Sequence, residues 1–273
     1  MSERDNPQAA QMAHESMVRT LSAQAQAIWP QESALLARHA LPPEARVLDA
    51  GCGTGEWAAR AAELWPDASF VGVDVQPGSL SHARGRCAQF GERVRFEERS
   101  VYALGLEPAS FDLVACRHVL QSIPDAPRVL AELVRVTRPG GLLHLIAEDY
   151  AMIQFERGQQ LHDVFWASAP ATYGESTGTD MRVGRNAYGV LTRLGLEVLS
   201  IDYVVVDPVR VSRELMFRIF EAWRDGYVDV LAEATGRSAA DIKSHFDDML
   251  ETLRKPDGYA VWHVPVIAAR VPV

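Results

Sequence analysis

Cysteine is scarce here: Cys52, Cys87 and Cys116 stand far apart and form no Cys-x-x-Cys pair. That pattern argues against a disulfide frame or a zinc site and for reduced thiols, as in a cytoplasmic protein. The eight histidines include no His-Glu-x-x-His arrangement, so no protein-bound metal is expected. No block of lysine or arginine occurs, and the net charge is −9. A surface that tracks phosphates is therefore not expected, which counts against DNA or RNA as a partner. No apolar run approaches the length of a membrane span, and Met1-Ser2-Glu3-Arg4-Asp5-Asn6-Pro7 lacks the apolar core of a signal peptide. The expectation is a soluble cytoplasmic chain without a membrane partner, free of internal repeats and low-complexity tracts.

What is present is enough for one large core: 273 residues, 48% of them hydrophobic. The chain is organised around Arg46-Val47-Leu48-Asp49-Ala50-Gly51-Cys52-Gly53-Thr54-Gly55-Glu56-Trp57. An apolar run ends in an acid, passes three glycines at alternate positions and enters the helical Trp57–Leu64, so it reads as strand, tight loop, helix. Glycine there lets bare main chain and helix N-terminal amides approach a ligand. The dinucleotide fingerprint would place a third glycine at position 56, where this chain has Glu56. A pyrophosphate would meet the charges of Asp49 and Glu56, whereas a ligand carrying an ammonium and a sulfonium would be attracted. The spacing and charge point to S-adenosylmethionine (SAM); a nicotinamide-dependent oxidoreductase and an inert SAM-fold binding partner are the alternatives.

Further along, Ala68–Asp74 reads as a second buried strand ending in an acid. Asp74 lies 25 residues after Asp49 and is placed to accept hydrogen bonds from ribose hydroxyls, the alternative being a cap for the helix near Pro77 to Gln89. Val75 and Gln76 follow, placed to flank an adenine. Arg93–Glu97 is the third strand and Phe111–Cys116 the fourth. Arg117 and His118 sit at the tip of that fourth strand, outside which ligands of open α/β sheets bind. Arg117 suits a carboxylate, and His118 is either a base or a hydrogen-bonded structural residue. Ala126–Val136 is an amphipathic helix, stopped by Thr137-Arg138-Pro139-Gly140-Gly141 before the fifth strand Leu142–Ala147.

With V-L-D-A-G-C-G-T-G at 47–55, F-D-L-V at 111–114 and R-P-G-G at 138–141, the chain resembles the class I, Rossmann-like SAM-dependent methyltransferases that act on small molecules. The resemblance implies SAM as cofactor, held by Asp49, Gly51, Cys52, Gly53, Gly55, Asp74, Val75, Gln76 and Arg117. It also implies an acid at the adenine amine, where this chain has Ser100 followed by Val101. The fold expected is a doubly wound, seven-stranded, mostly parallel sheet with helices on both faces, N-terminal helices and a helical insertion between the last two strands.

The segments divide as a lid at 1–40, a core at 41–206 plus 259–273, and an insertion at 207–258. In the lid, residues 1 to about 10 read as loose, one helix spans Gln11–Trp29, and Pro30 opens a second, Gln31–Ala40. Gln24, Gln26 and Trp29 are its candidate contacts over the cofactor. The polar and aromatic stretch from Glu148 to about Asn186 is where an acceptor pocket is expected, and His118, Glu148, Asp149, Tyr150 and His162 are the catalytic candidates. Asn186–Leu194 reads as a helix, Leu196–Val206 as the sixth strand and Tyr259–Ala269 as the seventh, with a bulge or break at Pro265. Within the insertion, an apolar stripe from Leu215 to Trp223 and a capping box at Ser238 predict two helices, forming either a cap on the acceptor pocket or a homodimer surface.

Overall fold

The computed structural model describes residues 15–156 and 158–273. The expected loose terminus and the start of the first helix at Gln11 lie outside the described residues. Helix α1 (Glu15–Leu36) leads into β1 (Arg46–Ala50), α2 (Glu56–Leu64), β2 (Ser69–Asp74), α3 (Pro77–Cys87), β3 (Val94–Glu98) and β4 (Phe111–Arg117). Then come α4 (Ala126–Val136), β5 (Thr137–Ile146), β6 (Ile153–Phe155), α5 (His162–Thr177), α6 (Val183–Arg193) and β7 (Glu197–Val206). The chain closes with α7 (Arg213–Thr235), α8 (Ala239–Arg254) and β8 (Ala260–Arg270).

The strands form one sheet in the order β3-β2-β1-β4-β5-β8-β6, with β7 also pairing β8. The first five run parallel; β8 runs antiparallel to β5, β6 and β7. The expected α/β sheet is present, with eight strands among the described residues in place of the expected seven. The eighth is the three-residue β6, which occupies the side of β8 that β5 leaves open beyond Ile146. A strand this short has too few residues to show an alternation.

The parallel strands are buried on both faces, which is why they read as continuous apolar runs. Helix α4 shows how one face is closed: Val129, Leu130, Leu133 and Val136 recur at helical spacing and are fully buried. Each such side chain contributes about 1.5–3 kcal/mol of burial, an upper figure because the unfolded chain already hides some surface. On the opposite face α2 and α3 bury Trp57, Ala58, Ala61, Leu80 and Ala83.

Two expectations about proline are corrected. Pro30 does not open a second helix; α1 runs through it from Glu15 to Leu36. Proline removes one hydrogen bond, to the carbonyl of Gln26, and Gln26 is exposed, so water can take that acceptor. Nor does Pro265 break the last strand: Val264, Pro265 and Val266 stay in register with Val204, Tyr203 and Asp202. The Pro265 carbonyl accepts from Ala147 N–H just past the last β5 pair, so the missing N–H lies on the side where that ladder has already ended.

The insertion forms α7 and α8, begun by Ser212 and by Ser238, whose hydroxyls accept from Leu215 N–H and Asp241 N–H. They pack on α1 and α5 through a core containing Phe220, Trp223, Phe246 and Trp262. Arg19 of α1 pairs with Asp225 of α7 at 3.0 Å. The Gln31 side chain holds both the N–H and the C=O of Val205, covering part of the exposed edge of β7. Among the described residues no helix is long and apolar enough to cross a membrane.

Candidate functional site

A crevice of about 770 Å³ opens at the carboxyl ends of β1, β2 and β4. Its floor is the loop after β1. Gly51 has φ +79°, and a Cβ there would stand 2.3 Å from Val119 Cγ2, so only glycine fits. Asp74, at the tip of β2, accepts from Gly53 N–H and Gln76 N–H, both at 2.9 Å. One carboxylate thus ties the loop to the next helix and retains lone pairs for a ligand. Burial raises its pKa, and those backbone hydrogen bonds oppose the rise.

Asp74, Val75, Gln76, Ser100, Val101, Arg117 and His118 all line this crevice. Asp49, Cys52 and Gln24 line its extension along the glycine loop. Gly55 does different work: a Cβ there would meet Ala83 Cβ at 2.9 Å, so it lets α2 and α3 approach. Of the other lid candidates, Gln26 is exposed and bonds Ser22, while Trp29 packs beside the α2 cluster.

The electrostatics differ from expectation at Glu56. Its carboxylate is ion-paired with Arg60 and Arg86, each at 2.6 Å, so it does not charge the crevice as the sequence suggested. Asp49 does. It is 2% exposed, and its Oδ2 has no hydrogen-bond partner. Burial, opposed by the charge of Arg117 and reinforced by Asp74 and Glu32, pushes its pKa up to about 7. A cationic group placed there would be favoured.

Arg117 is already engaged: its Nε and Nη2 grip the two oxygens of Glu32 on α1, both at 2.7 Å. His144 Nε2 completes the group at 3.1 Å from Glu32. Burial would raise the Glu32 pKa, but the charge of Arg117 and the hydrogen bond of His144 hold it at about 2. Glu32 was not singled out from the sequence, although a signal existed. Ile28, Glu32 and Leu36 recur at four-residue spacing on one face of α1 and are all fully buried, and an acid in such a stripe needs a partner.

Two catalytic candidates from different strand ends meet. His118 Nδ1 donates to Glu148 Oε1 at 2.5 Å, and Glu148 also accepts from Trp262 Nε1 at 3.2 Å. The carboxylate fixes the Nδ1–H tautomer, leaving Nε2 as an acceptor, and that atom is buried without a hydrogen-bond partner beside the crevice. His118 itself has φ +56°, in the left-handed region that β4 enters as it turns.

The remaining candidates lie elsewhere. Asp149 is fully buried, bonded through both oxygens to Arg185 and accepting from Ala151 N–H, a structural clamp on the segment after β5. His162 bonds Asp248 of α8 at 3.1 Å and packs on Phe155 and His245, away from the crevice. Tyr150 lines a second, aromatic chamber of about 440 Å³ among α5, α7 and α8. That chamber and the crevice share one lining residue, Ser122.

Comparison with known proteins agrees with this geometry. The Methyltransferase domain family matches residues 47–141, which run from the first strand to the turn inside β5. Trans-aconitate 2-methyltransferase of Deinococcus radiodurans is 42% identical over 101 residues, 37% of this chain and 37% of that protein. Demethylmenaquinone methyltransferase of Thermus thermophilus is 36% identical over 125 residues, 46% of this chain and 56% of that protein. The aligned part spans between 24% and 60% of the length of such curated relatives. In fold, the chain is similar to phosphoethanolamine N-methyltransferase 2 of Haemonchus contortus, solved in complex with SAM. The TM-score is 0.57 at 21% identity, covering 90% of this chain and 53% of that one. Residues 47–141 are thus similar to the Methyltransferase domain family, and the chain shares the Rossmann-like fold of the solved methyltransferase.

Proposed function

We propose that the protein transfers the methyl group of SAM to an oxygen, nitrogen or carbon atom of a small-molecule acceptor. The observation that carries this reading is the crevice itself: a floor where only glycine fits, an orphaned buried carboxylate oxygen on Asp49, and Asp74 held at the tip of the next strand. Those features suit a nucleoside with a cationic amino-acid tail. Asp74 would take the ribose hydroxyls, with Val75, Gln76, Ser100 and Val101 around the adenine. Asp49 would face the ammonium, and Arg117, steadied by Glu32, lies along the same wall for the carboxylate. Bound there, SAM supplies a methyl group on a positively charged sulfur that departs as a neutral thioether.

The rest of the chemistry belongs to the protein. The enzyme has to hold the acceptor in line and exclude water, worth about 7–11 kcal/mol of barrier. Helix α1 covers the crevice through Met17, Leu21 and Gln24, and α7 and α8 close the acceptor side. We read the insertion as a cap on that account. His118 is the base: its free Nε2 accepts the acceptor's proton, while Glu148 orients the ring and stabilises the charge it gains. The test is incubation with labelled SAM and a panel of phenols, amines and hydroxy acids, following release of S-adenosylhomocysteine. Turnover with at least one acceptor, lost in His118→Gln with SAM binding retained, supports the reading. Transfer to none of them, with uptake of NADH in place of SAM, overturns it.

A further inference from the structure

The chamber beside the crevice carries information about what the acceptor is. It borders the crevice at Ser122 and is walled mainly by apolar side chains. Six aromatic side chains dominate its wall: Tyr150, Trp166, Tyr173, Trp223, Tyr227 and Phe246. Among the described residues that line it, none is charged. The charge of Glu148 adds to the burial that lifts the Tyr150 hydroxyl well above its ordinary pKa. Burial likewise pushes Tyr173 up to about 12. A carboxylate or phosphate entering this space would lose its water, meet a carboxylate nearby and find no cation.

The rings also argue against a cationic guest. An aromatic cage for an ammonium turns its ring faces to the ligand. Here the faces are occupied by one another: Tyr150 stacks on Trp166 with centroids 6.2 Å apart and planes 15° apart. Trp223 makes T-shaped contacts with both, its plane at 77° to Tyr150 and 65° to Trp166. Phe246 meets Trp166 at 88°. Ring edges carry the positive end of the aromatic quadrupole and attract the π face of another ring.

We propose that this chamber binds an uncharged, planar unsaturated ring whose hydroxyl reaches the crevice past Ser122. The assignment rests on the methyl-transfer reading for the hydroxyl's fate, and on the chamber alone for the ring. It separates this chain from the relative named for trans-aconitate, a tricarboxylate that the chamber would reject.

The experiment is calorimetric titration of the whole protein, with and without saturating S-adenosylhomocysteine, using naphthol, hydroxynaphthoic acid, trans-aconitate and choline as probes. Naphthol is expected to bind at least about tenfold tighter than its carboxylated analogue, with no measurable heat from the other two. Equal or tighter binding of the acid, of trans-aconitate or of choline overturns the proposal, as does absence of naphthol binding. Trp223→Leu should weaken naphthol at least about tenfold and leave S-adenosylhomocysteine affinity within about twofold. Should that variant not fold, Tyr227→Leu carries the same test. Failure of S-adenosylhomocysteine to bind while naphthol still does would sink the methyl-transfer reading and leave the chamber assignment standing.

Discussion

Replacing Glu32 with glutamine tests how the N-terminal helix is fastened over the crevice. The wild-type carboxylate is fully buried, takes two hydrogen bonds from Arg117 at 2.7 Å and one from His144 at 3.1 Å. An amide of the same shape cannot accept a forked pair, and it strips the guanidinium of the carboxylate it is hydrogen-bonded to. Removing one member of a buried pair costs roughly 3–5 kcal/mol. Arg117 also borders the crevice, where water can relieve it, so Glu32→Gln should lie near the lower end, about 3 kcal/mol. In a chain of this size that corresponds to a fall in Tm of roughly 6–10 °C, read by circular dichroism.

The pH dependence has a definite sign. Glu32 is held at about 2 in the fold against an ordinary value of 4.5, so its stabilisation is full above 4.5 and lost as pH falls through about 2. The gap between wild type and variant should close in acid, as pH falls from 4.5 through about 2. In a double-mutant cycle with Arg117→Met, the double variant should recover at least about 1 kcal/mol of the summed losses. Additive losses, or a gap that widens in acid, would refute the buried ion pair as the fastening.

Other consequences follow from the same geometry. Asp49 sits at about 7, raised by burial against the opposing charge of Arg117 and with help from Asp74 and Glu32. In the fold it keeps a proton that the unfolded chain has released, so the free protein loses stability as pH rises from 3.8 through about 7. Affinity for S-adenosylhomocysteine should climb over the upper part of that range, and Asp49→Asn should flatten the climb in calorimetry. Glu148→Gln removes a charge-assisted hydrogen bond worth about 1.5–3 kcal/mol from His118, predicting a kcat lower by about ten- to a hundredfold. Its S-adenosylhomocysteine affinity should change by less than about twofold. Gly51→Ala drives a Cβ against Val119 at φ +79° and should cost about 2–4 kcal/mol in denaturant unfolding; a loss below about 0.5 kcal/mol would contradict the packing described.

The local elements were readable from the sequence because their signals are local. The glycine loop, the acid ending β2, the helix Ala126–Val136 and the Ser238 cap each declare themselves within a dozen residues. Pairings between distant residues were not readable. Glu32 and Arg117 lie 85 positions apart, and neither neighbourhood names the other. His118 and Glu148 were both picked out as candidates, but their meeting depends on β4 and β5 ending side by side. Glu56 was misread for the same reason: its acid was visible, whereas Arg86, which helps neutralise it, arrives from α3. Pro265 was misjudged as a bulge or break and β6 was missed, because proline tolerance and a three-residue strand depend on which ladder ends where.

The central claim is that the glycine-floored crevice binds a cationic adenosyl amino acid. Calorimetric titration of the purified protein with SAM and with S-adenosylhomocysteine, alongside Asp74→Ala, tests it most directly. One site for each ligand, weakened at least about tenfold by the substitution, is the predicted result. No heat from either ligand with saturable binding of NADH, or an affinity indifferent to Asp74, would contradict it.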